Sequence, residues 1–402
     1  MRTVLFVGAG RHQRQAILRA RELGLRVAAV DGDPKAPGLG EADIPLVADF
    51  RDVEAVLAFA RRVRPHGVLT VSADRAVPVV AAVAEALGLP GIGVDTARRL
   101  THKVEMRRTL AAAGIPQPAF GPARTLEEAR AALAQVGVPA VLKPADSGGQ
   151  RGLFRLGSVA DLDASFPAAL AESPTGQAIV EELVPGTEMN GIAIARRGAV
   201  STLTLSDRLR PPGRGFGVGW IHLYPASLSQ ERLRLAEEIV AEAVRALGLR
   251  DGIAFPQLIA GEDGGLRVVE VAARIPGGQM ADLVRHAVGV DLTEIALRQA
   301  LGEPVPDELC RPRFRRALAI RFLTASPGPL PVGKVRAVRG LERALAQPGV
   351  VQAESYMTVG ETIRPVRLDG DRRGYVIAVG ESREEALARA EAATALIEVE
   401  VE

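Results

Sequence analysis

Cysteine and aromatic residues are scarce in this sequence. Its 402 residues include one cysteine, Cys310, so no disulfide can form within the chain, and the disulfide framework of small secreted proteins is excluded. Only 3% of the residues are aromatic and a single one is tryptophan, which leaves little material for the base-stacking platforms of single-strand nucleic-acid binders. We expect a cytoplasmic protein with no nucleic-acid partner.

Long apolar runs and an excess of one charge are missing as well. The N-terminal apolar run has only about five residues, fewer than a signal-peptide core or a membrane span requires, and no other run reaches the length of a span. The 50 Lys and Arg residues are almost balanced by 48 Asp and Glu residues, so no basic excess points to nucleic acid. We therefore expect no membrane partner, and the 47% of hydrophobic residues is enough for the cores of two or three domains.

The first quarter of the chain alternates strands and helices in βαβ order. Apolar stretches predict strands at residues 4–7, 26–30 and 67–72, and helices at residues 11–23 and 77–87. This order predicts an α/β domain with a doubly wound parallel sheet over residues 1–96.

Prolines and glycines divide the remainder of the chain. A basic helix over residues 98–113 stops at Gly114 and two prolines, which predicts a helix and linker over residues 97–117. Residues 118–183 alternate strand and helix and are predicted to form a small α+β lid subdomain. Residues 184–402 are predicted to form a larger core that ends in an α+β terminal subdomain.

Three local signals stand out in this last region. The Ser-x-x-Gln sequence that begins at Ser227 predicts the N-terminus of a helix that ends at Gly248. The glycine-rich segment 261–265 predicts a hairpin turn between two apolar strands. The Ser-x-x-Glu sequence that begins at Ser382 predicts the cap of a final, alanine-rich helix.

The turn Gly8-Ala9-Gly10 after the first strand has two interpretations. With Asp31 some twenty residues later, it is consistent with a dinucleotide site in which the carboxylate binds ribose. The third glycine of that motif is missing, because Gln13 stands at its position. A structural or small-anion-binding turn is therefore favoured over an NAD site.

A lysine ends the buried strand in the stretch PAVLKPADSGGQRGL, residues 139–153. An unpaired buried lysine is costly, so Lys143 is expected to meet an anion. The short turn that follows offers backbone N–H groups and the cation Arg151, a combination that suits polyphosphate. Lys103 has no such context, and taken alone it would be a solvated surface lysine.

The segment EELVPGTE, residues 181–188, places three carboxylates around a strand end and a turn. An ordinary acidic turn explains this pattern. The alternative is a hinge whose backbone pairs with a purine edge while a carboxylate a few residues later accepts from ribose hydroxyls. The residues alone leave both interpretations open.

The stretch VVEVAARIPGG puts Glu270 on an otherwise apolar strand and Arg274 in the turn after it. A carboxylate at such a place is either paired or holds a cation, and its hard oxygen suits Mg²⁺. A structural ion pair between Glu270 and Arg274 is the alternative.

Histidine and serine give no sign of two other chemistries. The five histidines show no metal-ligand spacing, and the sequence contains no HExxH or CxxC motif, so zinc chemistry is not indicated. Ser147 lies in a glycine-rich loop but not in a G-x-S-x-G elbow, so a hydrolase triad has no support.

Taken in order, these segments resemble the ATP-grasp superfamily of carboxylate-amine ligases. The resemblance rests on Lys103, on the Lys143 strand with SGGQRG, and on EELVPGTE and EVAAR, in that order and spacing. VGAGRHQ, VDGDP and VSADRAV are similar to the N-terminal domain of that superfamily. EVAARIPGGQM and IHLYPA, which contains His222, are most similar to the bacterial L-amino-acid ligases, which form dipeptides.

The resemblance implies a role for each candidate residue. It assigns contacts with the ATP phosphates to Lys103, Lys143, Ser147, Gly148, Gly149, Arg151 and Gly152. It assigns adenine to Glu181, Glu182 and Leu183, ribose to Glu188, Mg²⁺ to Glu270 and Gln257, and catalytic roles to Arg274, Lys143 and His222. It also implies ATP and Mg²⁺ as cofactors, small carboxylate and amine substrates such as amino acids, and a homodimer as a common assembly of relatives.

Gln257 departs from the family pattern, because relatives carry a second metal-binding carboxylate at or near this position. An amide oxygen can still bind Mg²⁺ but adds no charge, so the ATP phosphates would have to contribute more to binding the ion.

The predicted activity is ATP-dependent amide-bond formation through an acyl-phosphate, with release of ADP and phosphate. The alternatives are a non-catalytic ATP-binding module, suggested by Gln257, and an NAD-dependent oxidoreductase, which leaves the later motifs unexplained.

Overall fold

The computed structural model describes residues 1–210 and 217–402. The strands in these ranges form four sheets flanked by helices, so the predicted α/β fold class is confirmed. No helix of the described part of the chain combines the length and the apolarity that a bilayer crossing requires.

The N-terminal region contains a parallel sheet with helices on its faces. Its elements are β1 (Thr3–Val7), α1 (Arg11–Glu22), β2 (Arg26–Asp31), α2 (Pro37–Glu41), β3 (Ile44–Val47), α3 (Val53–Val63), β4 (Gly67–Leu69) and α4 (Val77–Ala86). The strand order is β3-β2-β1-β4, and all three pairings are parallel. β1 is buried along its whole length, as expected for a strand covered on both faces. The predicted doubly wound parallel sheet is therefore confirmed.

Two short helices follow, α5 (Val94–Thr101) and α6 (Lys103–Ala112), where the sequence predicted one basic helix. The prediction of a single helix was wrong because His102 has extended backbone between them and caps α6, its Nδ1 accepting from the Glu105 amide at 3.5 Å. The break places Lys103 in the first turn of α6.

A small antiparallel sheet comes next, with two helices packed on it. Its elements are β5 (Phe120–Ala123), α7 (Leu126–Val136), β6 (Ala140–Pro144), β7 (Phe154–Leu156), α8 (Val159–Ala171) and β8 (Ala178–Glu182). The strand order is β5-β8-β6-β7. Leu133, Leu142 and Phe166 belong to its buried core. β6 pairs with β8, with Val141 opposite Glu181, so the Lys143 strand lies beside the acidic segment.

The rest of the chain forms an eight-stranded antiparallel sheet and a three-stranded sheet. Its elements are β9 (Gly186–Arg196), β10 (Ala199–Leu209), β11 (Ile221–Tyr224), α9 (Gln230–Ala246), β12 (Gly252–Gly261), β13 (Leu266–Ala272), α10 (Met280–Val288), α11 (Leu292–Ala300), β14 (Ala317–Phe322), β15 (Gly333–Arg339), α12 (Leu341–Leu345), β16 (Val350–Ser355), β17 (Thr362–Ile363), β18 (Gly374–Gly380), α13 (Arg383–Thr394) and β19 (Glu398–Val401). The orders are β13-β12-β9-β10-β11-β14-β18-β16 and β17-β15-β19.

The predicted helix and hairpin of this region are present. β12 and β13 form the hairpin, closed by the Gly261 amide donating to the Gly265 carbonyl at 2.8 Å. α9 begins later than predicted, because its N-cap is Ser229 and not Ser227; the Ser229 side chain accepts from the Arg232 amide. Ser382 caps α13 as predicted, accepting from the Glu385 amide.

The N-terminal sheet is joined directly to the large sheet. Val71 and Ile275 form a parallel bridge, and the Ser72 amide donates to the Ile275 carbonyl at 2.9 Å. Buried side chains of β1, α1, α10 and β14 share one continuous core. The chain after β4 and the chain after β13 are thereby held side by side. The predicted domain limits, 1–96, 97–117, 118–183 and 184–402, stay predictions.

Candidate functional site

A cavity of about 880 Å³ lies between the small sheet, the large sheet and the N-terminal region. All but one of the predicted site residues lie on its wall: Lys103, Lys143, Ser147, Gly148, Gly149, Arg151, Glu181, Glu182, Leu183, Glu188, His222, Gln257, Glu270 and Arg274. Gly152 belongs to the same loop but does not line the cavity. Segments far apart in sequence thus meet at one cleft.

Lys143 is the centre of a buried ion-pair cluster. Its Nζ lies 2.8 Å from Oε2 of Glu181, whose two oxygens also accept from Nε and Nη2 of Arg107 at 2.9 Å each. Burial lowers the pKa of Lys143, and the Glu181 carboxylate partly offsets this effect. Burial alone would raise the pKa of Glu181, but Arg107 and Lys143 lower it to about 2. The anion that Lys143 was predicted to need is supplied here by Glu181.

Lys103 points to the glycine-rich loop. Its Nζ donates to the Ser147 carbonyl at 2.7 Å and lies 3.9 Å from Oε1 of Glu270, and its backbone amide donates to the Ala145 carbonyl. The side chain is 10% exposed. Its local sequence context showed nothing special, yet Lys103 connects the loop to the large sheet, and both lysines reach the same cleft.

The loop from Ser147 to Gly152 is closely packed at several points. Gly152 has φ +65°, and a Cβ there would lie 2.8 Å from Cγ of Pro144. A Cβ on Gly148 would lie 2.7 Å from a carboxylate oxygen of Asp74 in the N-terminal region. The loop therefore depends on glycine at these two positions and touches two other parts of the fold.

The segment Glu181-Glu182-Leu183 forms one edge of the cleft. The Glu182 carboxylate accepts from the Ala119 amide at 3.2 Å, and the Leu183 amide donates to the Pro139 carbonyl at 3.2 Å. The carboxylate of Glu188 accepts from Nη1 of Arg208 at 2.7 Å and from Nε of Arg210 at 2.9 Å. The predicted adenine and ribose roles of this segment stay predictions.

Glu270 and Gln257 are directly opposite each other on β13 and β12, and Gln257 is opposite Asn190 on β9. These three side chains bring hard oxygen atoms together at one wall of the cleft. Mg²⁺ in nucleotide sites is held by one or two carboxylates plus phosphates, so Glu270 with amide oxygen fits it. No group of three or more His, Cys, Asp or Glu side chains able to hold a metal ion by themselves occurs in residues 1–210 and 217–402.

Arg274 is paired with Asp74 of the N-terminal region and not with Glu270. Its Nε and Nη2 donate to the two Asp74 oxygens at 2.7 and 2.8 Å, and its guanidinium also lies 5.9 Å from the Phe255 ring centre. Burial alone would raise the pKa of Asp74, but Arg274 holds it below its ordinary value. The alternative of an ion pair between Glu270 and Arg274 is thus not what the structure contains.

The end of the cleft next to Arg274 is rich in cationic side chains. Arg11 stacks on Tyr356 at 4.1 Å, and Arg372 stacks on Phe322 at 4.0 Å. No carboxylate of the described residues lies within ion-pair distance of Arg11. Burial lowers the pKa of His12, and the positive charges of Arg11, Arg372 and Arg274 lower it further. This end suits an anionic group of a ligand.

The Gly8 turn is held internally. The Ala9 amide donates to Oδ2 of Asp31 at 2.7 Å, and the Gly38 amide donates to the Ala9 carbonyl at 2.7 Å. Gln13, at the position of the missing glycine, donates to the Val71 carbonyl. Asp31 therefore has a structural role, which favours the structural interpretation of this turn.

Arg107, Asp74 and Asn190 are among the residues in or next to the site that sequence reasoning missed. Arg107 follows Lys103 by four residues, so helical spacing could have placed both on one face. Asp74 follows a strand of a parallel sheet at its carboxyl end, where ligands and their contacts gather. Asn190 gave no signal, because only the strand register brings it next to Gln257.

Comparison with known proteins agrees with this geometry. The family described as carbamoyl-phosphate synthase L chain, ATP binding domain, matches residues 102–308, a little over half of the chain. The family described as L-amino acid ligase C-terminal domain 2 matches residues 322–402. The chain belongs to the ATP-grasp superfamily, and its C-terminal part carries the domain of the L-amino acid ligases.

Individual relatives cover most of the chain. An uncharacterized protein of Sinorhizobium fredii is 30% identical over 79% of this chain and 65% of its own length. A formate-dependent phosphoribosylglycinamide formyltransferase of Burkholderia mallei is 29% identical over 98% of this chain and 94% of its own length. The crystal structure of L-amino acid ligase from Bacillus licheniformis superposes with a TM-score of 0.85 over 100% of this chain and 99% of that one. The superposition establishes the fold, at 24% sequence identity.

Proposed function

We propose that this protein is an ATP-dependent ligase that joins a small carboxylic acid to an amine, most simply two amino acids, through an acyl-phosphate. The observation that carries the proposal is the convergence of Lys103, Lys143, Glu270 and Arg274 on one cleft of about 880 Å³. The C-terminal L-amino acid ligase domain favours amino acids as substrates.

The nucleotide is assigned to the end of the cleft between the two lysines. The nearby backbone of Glu182 and Leu183 would face adenine, and Glu188 the ribose. Lys103 and Lys143 would neutralise the phosphates, and the loop from Ser147 to Gly152 would cover them. Lys143 is already fixed by Glu181, so little side-chain entropy is lost when a phosphate binds.

Glu270, with an amide oxygen of Gln257, would hold Mg²⁺ against the phosphates. When bound, the ion supplies charge that stabilises the transferring phosphoryl group. Lys103 lies 3.9 Å from Glu270, so the lysine and the metal-binding carboxylate would act on the same phosphate oxygens. The predicted metal roles of Glu270 and Gln257 rest on this arrangement.

The acid substrate is assigned to the cationic end of the cleft. There its carboxylate oxygen would attack the γ-phosphorus of ATP, the bond from phosphorus to the β-γ bridging oxygen would break, and ADP would leave. The amine nitrogen would then attack the acyl carbon, the carbon–oxygen bond to phosphate would break, and the amine proton would pass to the departing phosphate. Arg274, positioned by Asp74, would stabilise the negative charge that develops in both steps.

Water must be excluded while the acyl-phosphate exists, because it would hydrolyse this intermediate. The loop from Ser147 to Gly152 is the element suited to this, since its glycines adopt positive φ at Gly149 and Gly152. The reaction needs no serine or cysteine nucleophile, which is consistent with the absence of a nucleophile elbow around Ser147.

The test is a screen for ADP release in Mg-ATP with pools of amino acids and small acids, including formate. Hydroxylamine in place of the amine traps the acyl-phosphate as a hydroxamate and identifies the acid alone. Acid-dependent ADP release and hydroxamate formation are expected. Tight ATP binding with no acid-dependent ADP release in any pool would count against a ligase.

The second candidate is a non-catalytic ATP-binding module, and the observation that favours it is the neutral amide at Gln257. Under this alternative, ATP raises the melting temperature of the protein, but no pool of amino acids or small acids stimulates ATP turnover. The Gln257→Glu variant then shows the turnover that the wild type lacks. NAD serves as a control ligand in the same melting assay, and ligand-free and ligand-bound samples are compared directly.

A further inference from the structure

Three side chains of the large sheet form a hydrogen-bonded row along the wall of the cavity. Nε2 of Gln257 donates to Oδ1 of Asn190 at 3.4 Å. Nδ2 of Asn190 lies 3.2 Å from Nδ1 of His222. Asn190 is 2% exposed and His222 is 3% exposed, so solvent does not compete strongly for these groups.

The row determines which nitrogen of His222 carries the proton. An asparagine amide has one accepting oxygen and one donating NH₂ group. Because Oδ1 of Asn190 accepts from Gln257, its NH₂ group is the one that faces His222 and donates to Nδ1. A nitrogen that accepts has no proton, so a neutral His222 carries its proton on Nε2.

The environment keeps the His222 ring neutral and fixed. Burial lowers its pKa well below the ordinary value, and the charges of Arg372 and Arg208 lower it further. The ring meets Phe322 edge to face, with centres 5.3 Å apart and planes at 88°. Nε2 lies at the wall next to the glycine turn, where a Cβ on Gly278 would come within 3.5 Å of it. No described residue accepts a hydrogen bond from Nε2.

We propose that Gln257 and Asn190 are positioning residues that hold His222 with its proton on Nε2, and that this N–H donates to an oxygen of the acid substrate or its acyl-phosphate. The tautomer itself does not depend on the reaction, whereas the acceptor rests on the proposed ligase function. The row also gives Gln257 a role that an ionised carboxylate cannot fill, because a carboxylate has no proton to donate to Asn190.

The tautomer is tested by NMR of the full chain labelled with ¹⁵N in its histidine rings. The far-downfield nitrogen resonance identifies the ring nitrogen that lacks a proton, and a His222→Gln variant assigns the signals among the five histidines. We expect Nδ1 of His222 to be unprotonated in the wild type. We expect Nδ1 to gain a proton in Asn190→Asp and in Gln257→Glu, measured at about pH 8 so that the new carboxylate is ionised.

Gln299→Glu is the matched control, because Gln299 is a half-buried amide that donates to the Ala195 carbonyl elsewhere in the fold. It should leave the His222 signals unchanged. A protonated Nδ1 in the wild type would overturn the proposed positioning of His222. So would unchanged His222 signals in both Asn190→Asp and Gln257→Glu, provided that the two variants are folded.

The donor role is tested separately in the hydroxamate assay. If Nε2–H binds the acid, Asn190→Asp should raise the KM for the acid at least about tenfold, the value of one lost hydrogen bond. An unchanged acid KM despite a shifted tautomer would overturn the donor role. Wild-type protein without any ligase activity would refute the proposed function and leave the NMR result on the tautomer intact.

Discussion

Asp74 of the N-terminal region and Arg274 of the large sheet are joined by two hydrogen bonds of 2.7 and 2.8 Å across the cleft. The pair lies beside the bridge between Val71 and Ile275, so backbone and side chains together connect the two regions. One guanidinium nitrogen, Nη1 of Arg274, is buried without a partner. The N-terminal region therefore contributes directly to the orientation of the arginine proposed to act in catalysis.

Replacing Asp74 with Asn should loosen Arg274. The amide keeps the shape but removes the charge, so the free energy of unfolding should fall by about 1–3 kcal/mol. Ligase turnover should fall about 10- to 100-fold, because a small displacement of a positioned group is costly in the transition state. Urea denaturation and ADP release measure the two effects. Asp95→Asn, at an exposed position, is the control and should change neither the stability nor the turnover. Normal turnover in Asp74→Asn would argue against the positioning role of Asp74.

Lys143→Met should weaken ATP binding. A charge-assisted hydrogen bond contributes about 1.5–3 kcal/mol, so the Kd for ATP should rise roughly 10- to 150-fold in titration calorimetry. Lys334→Met removes an exposed lysine that pairs with Glu402, and it should leave the Kd unchanged. Equal Kd values for both variants would place the phosphates elsewhere.

The sequence singled out the residues whose type conflicts with their position. Lys143 ends a buried strand and Glu270 interrupts an apolar one, so each was expected to meet a partner of opposite charge before the fold was known. The residues that complete the site, Arg107, Asp74 and Asn190, look ordinary in the sequence. Their roles come from strand register and from the contact between two sheets, which a linear pattern does not contain.

The exact ends of helices also could not be predicted from the sequence alone. The break at His102 could not be read from the sequence, because basic residues continue on both sides of it and helix propensity hardly changes. Two serines compete for the cap of α9, and only the backbone path selects Ser229 over Ser227. The local sequence predicted that a helix begins in this segment, and tertiary packing determined that Ser229 is its N-cap.

Glu181 should make stability sensitive to acid. Its pKa is lowered from 4.5 to about 2, so its contribution is fully present above about 4.5 and is lost as the pH falls through about 2. Glu181→Gln leaves Arg107 and Lys143 buried without a carboxylate and should cost about 3–5 kcal/mol at neutral pH. The variant should also lose part of the acid dependence seen in urea unfolding between about pH 5 and pH 3.

Glu127→Gln is the control for this prediction, because Glu127 is exposed in the first turn of α7 in the same subdomain. It should keep the wild-type acid profile. If Glu181→Gln keeps the full acid dependence of the wild type, the loss of stability at low pH must come from other carboxylates.

Gly152→Ala should impair the loop more than it impairs the fold. Both Gly152 and Gly24 have positive φ, +65° and +78°, so an alanine at either position costs about 1–2 kcal/mol of backbone strain. A Cβ at Gly152 would also meet Pro144 at 2.8 Å, whereas Gly24 has nothing within 4 Å. Gly24→Ala is therefore a control with similar backbone strain, but its added methyl group touches no neighbouring atom.

Because the added methyl group pushes the loop away from Pro144, closure over the phosphates should be weakened. We expect Gly152→Ala to raise the KM for ATP about tenfold and to increase hydrolysis of ATP relative to amide formed, since water enters the cleft. Gly24→Ala should lose a similar amount of stability with a normal ratio of phosphate to amide. Identical ratios in the two variants would mean that this loop does not protect the acyl-phosphate.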